Sequence, residues 1–257
     1  MNFIFLTYKN FSVNSFLIFF LLMQTPKLIA NEWIAPLKAP LENPTTRTML
    51  LGAAVVGISG LTFLKPNMEQ IQDYFRKHRP LKNYDRIGND GGQFLPNLIY
   101  TLFFASDYLL HDRHDSYKRA YSMFTASLYS GLVTDFFKVV VNEKRPNGGR
   151  HSFPSGHTTT AFAFSGYVAL EHGNTWGIIA YSFSTYVALS RLNSNAHYLH
   201  NVIVGGLIGA AYGISSYQNN YLNQIVQNKR INLPFIYPQF ENINSEQKYS
   251  INMDYRF

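Results

Sequence analysis

HSFPSGHTTTAFAF, residues 151–164, sets Pro154, Ser155, Gly156 and His157 directly before a run of helix-compatible residues. A helix start exposes unpaired N–H groups and the positive end of the helix dipole, which suits an anion. Ser155 fits an N-cap, and Pro154 stiffens the entry. Gly156 lets a ligand approach the backbone closely, and His157 can carry a proton. The stretch reads either as a plain capped helix start or as the mouth of an anion site. The flanking segments decide between them.

Working outward, six segments read as helical and largely apolar: 48–64, 96–110, 117–142, 155–170, 175–190 and 197–217. Several are near 16 residues, short of the roughly 20 that span a typical bilayer, so tilt or partial immersion is expected. The connections are short, and Pro96, Pro146 and Gly173 sit at the breaks. The expected fold is all-α, a six-helix membrane-associated bundle. Only 14% of residues are charged, against roughly 25% in ordinary soluble proteins. The mean hydropathy of −0.11 fits a membrane-embedded core that carries a polar tail. The last helix has Gly205, Gly209 and Gly213 at four-residue spacing, a pattern that permits close helix contact. Stepping back in fours from Gly205 leads to Asn201 and then His197, along one face.

The ends of the chain differ from this core. Residues 1–30 combine Lys9, a short apolar run over 16–23 and a small residue at Ala30, and read as a signal peptide or an uncleaved N-terminal anchor. A helical domain is expected over 31–217 and a polar, Gln/Asn-rich tail over 218–257. The tail's end, YSINMDYRF, alternates apolar and polar residues and fits a short strand. Between Tyr74 and Arg86 lie Arg76, Lys77, Arg79, Lys82 and Arg86. This basic stretch reads as a solvated loop that anionic lipid would also attract. No nucleic-acid-reading module accompanies it, so a nucleic-acid partner is not expected. There are no cysteines, so no disulfide or thiolate chemistry is available.

Three polar groups of residues fall where helices end or begin. Lys138 and Arg145 are seven apart, two turns of one face. Pro154 to His157 open the next helix, and Ser190, Arg191 and His197 lie where the last two helices join. In an up-down bundle these junctions share one end. That end collects Lys138, Arg145, Arg191, Ser155, His157 and His197, which is what a phosphoryl group with three charged oxygens requires.

The arrangement resembles the type 2 phosphatidic acid phosphatase (PAP2) superfamily, which includes bacterial acid phosphatases and vanadium haloperoxidases. Its pattern is K-x6-RP, then PSGH, then SR-x5-H-x3-D. Here it runs from Lys138 through Arg145-Pro146, Pro154 to His157, and Ser190-Arg191 through His197, with Asn201 in place of the final Asp. The resemblance implies that His197 is the nucleophile and that His157 protonates the leaving alkoxide and then activates water. It also implies that Lys138, Arg145, Arg191, Ser155 and the Gly156 N–H hold the phosphate oxygens. It implies neither a metal nor another cofactor. In the family the final carboxylate accepts a hydrogen bond from the nucleophilic imidazole. Asn201 can accept through its carbonyl oxygen but has no charge, so Asn201→Asp is expected to raise turnover.

The resemblance implies hydrolysis of a phosphate monoester or diphosphate on a membrane lipid. The substrates in view are lipid A, phosphatidylglycerol phosphate, phosphatidic acid and isoprenyl diphosphate, and the site would face a bacterial periplasm. The alternative is a catalytically impaired phospholipid-binding relative, for which Asn201 is the support. Vanadate-dependent halide oxidation uses the same cradle, but enzymes of that kind are usually larger and soluble. Two further features have plain readings. His111, Asp112, His114 and Asp115 lie between two apolar helices and read as a solvated turn, and Asp135 reads as an ion-pair partner of Lys138.

Overall fold

The computed structural model describes residues 27–219, 235–243 and 246–254. Its main unit is helical: α1 (Lys27–Glu42), α2 (Pro44–Leu61), α3 (Lys65–His78), a 3-10 turn (Lys82–Tyr84), α4 (Asp85–Gly91), α5 (Leu95–His111), α6 (His114–Val141), α7 (Gly156–His172), α8 (Asn174–Asn193) and α9 (Leu199–Asn219). Local chemistry sets several boundaries. Asn43 caps α2, its side chain accepting from the backbone N–H of Thr45 at 2.8 Å, with Pro44 in the first turn. Asn142 ends α6 in the left-handed region at φ 47°, and Gly173 separates α7 from α8 at φ 83°.

The six expected helices are all present, as α2 and α5 to α9. Two boundaries shift: Arg191 lies inside the last turn of α8, and His197 precedes α9 rather than opening it. The basic stretch is not the loop that was expected. Tyr74 to His78 form the last turn of α3, and Asp85 and Arg86 begin α4.

The bundle interior mixes apolar clusters, one of them Ala53, Tyr129, Phe153, Val204, Ile208 and Tyr212, with many buried polar side chains. The interior is rich in small hydroxyls: Ser130, Thr134, Thr158, Thr159, Ser165 and Ser184 are fully buried. They bond within the bundle, as Thr134 Oγ1 does to Thr159 Oγ1 at 3.0 Å and Ser184 Oγ to the Ala161 carbonyl at 2.7 Å. Other large apolar side chains point outward, among them Leu51 and Val55 on α2, Phe136 and Val139 on α6, and Trp176 and Ile178 on α8. Hydrocarbon solvates such side chains, and helices in it associate through small residues and interhelical hydrogen bonds.

The glycine stripe of α9 does this against α7. A β-carbon at Gly205 would stand 2.6 Å from the Ser155 carbonyl oxygen, and ones at Gly209 and Gly213 would collide with the carbonyls of Thr159 and Ala163. Among the described residues, α6 and α9 are each long and apolar enough to cross a membrane. α2 and α3 meet that test together as a pair bent by 86°.

Residues of the tail form a separate unit. It is an antiparallel hairpin of β1 (Phe235–Ile243) and β2 (Glu246–Asp254), in register from Phe235 opposite Asp254 to Ile243 opposite Glu246. One strand was expected near the C-terminus; the backbone forms two. The expected signal or anchor, residues 1–30, falls mainly on 1–26, outside the described residues.

Candidate active site

The C-terminal ends of α6 and α8 and the N-terminal ends of α7 and α9 meet at one end of the bundle. Lys138, in the last turn of α6, is buried. Its ammonium donates to the carbonyls of Pro154 at 2.8 Å and His151 at 3.4 Å, which ties α6 to the approach to α7. Asp135, expected as its ion-pair partner, makes no direct salt bridge with it and acts on it only through its charge; the two carbonyls hold the ammonium. Gly156 sits beside the ammonium, since a β-carbon there would be 3.9 Å from Nζ. The first helical hydrogen bond of α7 is made by Thr159 to Ser155, at 3.0 Å, so the N–H groups of Gly156 to Thr158 precede it. Ser155 is the buried N-cap residue, but its hydroxyl accepts from Thr158 at 3.0 Å and caps nothing.

Arg145 belongs to the link between α6 and α7. Its Nε donates to the Arg150 carbonyl at 3.0 Å, and its backbone N–H donates to Gly149 at 2.8 Å, which turns the link back on itself. Arg191 is buried at the end of α8, and its guanidinium donates to the side-chain oxygen of Asn89. Asn89 was not expected in the site. It lies on the short α4, whose Gly88, with Gly92 just past its end, presses against Ser190 and Val187 of α8 so closely that a methyl group at either glycine would collide. The same residue also serves His157, whose Nε2 donates to the Asn89 carbonyl at 3.1 Å.

His197 lies in the loop before α9 and is buried. Its Nδ1 is 2.7 Å from the carbonyl oxygen of Ser152. A carbonyl only accepts, so Nδ1 carries the proton and Nε2 keeps its lone pair. Burial, then the charges of Lys138, Arg145 and Arg191, hold the His197 imidazole well below the ordinary histidine range; the bond to Ser152 opposes them. Burial and the Arg191 charge likewise push His157 down, against the bond to Asn89. Without an anion in the cradle both rings are neutral at pH 7.

Asn201 does not take the place proposed for it. Its side-chain Nδ2 donates to the Ser152 hydroxyl at 2.6 Å, its side-chain Oδ1 is buried with no hydrogen-bond partner among the described residues, and its backbone carbonyl accepts from the Ser155 N–H at 3.0 Å. The acceptor for His197 is the Ser152 backbone. Ser152 is fixed in turn: its N–H donates to the Glu143 carbonyl at 2.9 Å, and the Glu143 carboxylate meets the buried His200 at 3.1 Å. The structure thus brings together Lys138, Arg145, Ser155, Gly156, His157, Arg191 and His197, with Asn201 set behind Ser152. It adds Asn89 and Ser152.

The turn between α5 and α6 lies at the opposite end. There Asp107 pairs with His111 at 3.1 Å and Arg113 at 3.3 Å, and Asp115 with Lys118 at 3.4 Å. Residues 111–115 are exposed, so this is the solvated turn that was expected.

Residues 119–225, a segment that holds all three motifs, match the model of the PAP2 superfamily. Over 95 residues the chain is 34% identical to the lipid A 1-phosphatase of Porphyromonas gingivalis, a match covering 35% of this chain and 21% of that protein. It is 24% identical over 172 residues to lipid phosphate phosphatase 1 of Arabidopsis thaliana, covering 50% of this chain and 52% of the relative. The chain thus spans about a fifth and about half of these curated relatives. Among solved structures, it resembles the transmembrane PAP2-type phosphatidylglycerolphosphate phosphatase of Bacillus subtilis. The TM-score is 0.57 at 16% identity, covering 72% of this chain and 98% of that one. That likeness speaks to the fold.

Proposed function

We propose that this chain is a PAP2-type membrane phosphatase that releases phosphate from a lipid phosphate monoester or diphosphate through a phosphohistidine. The observation that carries the reading is the hydrogen bond from His197 Nδ1 to the Ser152 carbonyl at 2.7 Å. It leaves Nε2 as the nucleophilic atom, at the end of the bundle where three cations and a helix N-terminus gather.

In the proposed first step, His197 Nε2 forms a bond to phosphorus while the bond from phosphorus to the lipid oxygen breaks. His157 gives its proton to the departing oxygen, since an alkoxide leaves poorly unless protonated. Lys138, Arg145 and Arg191, with the N–H groups opening α7, balance the charge on the phosphoryl oxygens. In the second step water attacks phosphorus, His157 takes its proton, and the phosphorus–nitrogen bond breaks. Burial, and then the cationic field, keep His197 unprotonated before substrate arrives, as a nucleophile must be. The substrate's own negative charge offsets that field and favours the protonated His157 that the first step uses.

Lipid A, phosphatidylglycerol phosphate, phosphatidic acid and isoprenyl diphosphates are the proposed substrate range. The outward apolar faces and the two candidate spans support a lipid substrate. A periplasmic orientation is part of the same proposal.

The test is phosphate release from a panel of these lipids by the purified full chain in detergent. Wild-type protein releases phosphate and yields a small but detectable fraction of acid-labile, alkali-stable phosphoenzyme on rapid quench, while His197→Ala does neither. More than a few per cent of wild-type activity in a folded His197→Ala protein refutes the mechanism. No release from any of the lipids refutes the activity.

A further inference from the structure

α2 is apolar, α3 is polar, and they meet at 86°. The outer face of α2 exposes Leu51, Val55 and Ile58, as a helix facing hydrocarbon does. Its C-terminal end lies at the active-site end of the bundle, because a methyl group on Gly60 would overlap the His200 side chain. α3 turns Met68, Ile71, Gln72 and Phe75 toward the bundle and leaves Asp73, Arg76 and Lys77 exposed. A helix of this polarity does not cross hydrocarbon. Set at 86° to the apolar α2, it is placed to lie along the interface.

The outer surface from Phe63 to Ile87 has the composition that such a position demands. Phe63, Tyr74, Tyr84 and Ile87 are each more than half exposed, at 83%, 57%, 69% and 57%. Lys77, Lys82 and Arg86 are exposed among them. Between Tyr74 and Arg86 five cations stand against a single acid. That acid, Asp85, is buried and bonded to Arg79 at 3.4 Å and Asn193 at 2.9 Å. On the outer side of α3 Glu69 and Asp73 are also exposed, and Asp73 pairs with Arg76 at 3.0 Å, but Lys65, Lys77, Lys82 and Arg86 outnumber the remaining acid. The outward charge is therefore positive, interleaved with aromatic and aliphatic side chains, which is the chemistry that holds a segment on anionic lipid.

We propose that residues 63–87 dock on the anionic phospholipid head groups of the surrounding bilayer, as a platform beside the phosphate cradle. The platform is fastened to the cradle. Gln72 Nε2 donates to the Leu192 carbonyl at 2.9 Å, and the Leu81 N–H donates to Asn193 Oδ1 at 2.9 Å, both next to Arg191. Asn89, which holds Arg191 and His157, follows directly in the chain. Docking of the platform fixes the height of the cradle at the level where lipid phosphates lie. The proposal requires a membrane protein and does not depend on the phosphatase reading.

The absence of cysteine makes site-specific labelling direct. An environment-sensitive fluorophore is placed on Tyr84→Cys, with Leu109→Cys at the far end of α5 as control. The full chain is reconstituted in phosphatidylcholine nanodiscs with increasing phosphatidylglycerol. The Tyr84→Cys signal is expected to shift with phosphatidylglycerol while the Leu109→Cys signal stays constant. The combined change of Lys77, Lys82 and Arg86 to Gln is expected to abolish most of the Tyr84→Cys shift at every phosphatidylglycerol fraction, since roughly fivefold per cation near an anionic surface compounds to about a hundredfold. If that variant does not fold, the wild-type shift is titrated with salt, which weakens it as screening shortens. Equal signals in both lipids, or a folded triple variant that behaves as wild type, overturn the proposal. So does an equal response to inorganic phosphate without phosphatidylglycerol, which identifies a phosphate site instead of a surface.

Discussion

Replacing Asn201 by aspartate separates two accounts of how the nucleophile is held. If residue 201 fixed the imidazole, restoring a carboxylate would recover much of the roughly 10⁴-fold that a serine protease loses when its aspartate becomes asparagine and the tautomer goes wrong. The structure removes that premise. His197 Nδ1 already donates to the Ser152 carbonyl at 2.7 Å, so Nε2 carries the lone pair whatever stands at 201. The partner of Asn201 is the Ser152 hydroxyl at 2.6 Å, and a hydroxyl can turn to donate to a carboxylate. The bond survives, the tautomer is unchanged, and a fully buried carboxylate acquires a desolvation cost that the nearby cations only partly offset. The expected result is a change in kcat of less than about tenfold in either direction, because the tautomer component of the protease effect is absent. The assay is steady-state kcat at saturating lipid phosphate in detergent, with the His197 tautomer read by ¹⁵N NMR. A rise in kcat above about 100-fold, or wild-type protein showing a protonated Nε2, refutes the reasoning.

Asn89→Ala deletes the oxygen that receives the Arg191 guanidinium but keeps the carbonyl that receives His157. A hydrogen bond to a charged group is worth about 1.5–3 kcal/mol, so kcat/KM should fall by roughly 10- to 150-fold with the pH profile unchanged; a loss under threefold places Arg191 under other control. Stability should fall in acid. His157 and His197 have folded-state values below the unfolded histidine value, so their contribution is complete above about pH 6.5 and is lost as pH falls toward the folded values. Each ring costs about 1.4 kcal/mol per pH unit in that window. Thermal unfolding in detergent between pH 7 and 5 should show a falling Tm, with a smaller fall in His197→Gln; a flat wild-type profile contradicts the buried neutral rings.

The apolar runs made α2 and α5 to α9 legible, because helices that face hydrocarbon are built from long stretches of one character. α3 and α4 follow no such rule. α3 is polar on its outer side and hides Gln72 inward, while α4 is only seven residues and contains three glycine or asparagine residues that weaken any helical signal. The cradle was legible because side-chain chemistry at fixed spacing survives in sequence: Lys138 to Arg145, Ser155 to His157, and Arg191 to His197. Asn89 lies about a hundred residues before Arg191, and only the glycines on either side of it hinted at a close approach. Ser152 left no trace at all, since the atom that matters is a backbone carbonyl, which every residue has.

That carbonyl does one of the two tasks a carboxylate performs and not the other. A dipole at 2.7 Å fixes which nitrogen holds the proton as firmly as a charge would, because the alternative tautomer would set a lone pair against an oxygen lone pair. It supplies no net negative charge to a ring that becomes cationic when phosphorus is attached. On the proposed mechanism, the cations that lower the His197 pKa also destabilise the phosphorylated ring. The phosphorus–nitrogen bond is then harder to make and easier to break, which moves the slow step toward formation of the intermediate. Little phosphoenzyme should accumulate in the wild-type steady state. Aspartate at 201, though it leaves the tautomer alone, adds negative charge beside Ser152 and should raise the trapped fraction even where kcat hardly moves. Rapid-quench measurement of phosphohistidine in the two proteins reads that difference directly. An unchanged or smaller fraction in the folded aspartate variant would show that the charge at 201 does not reach the ring.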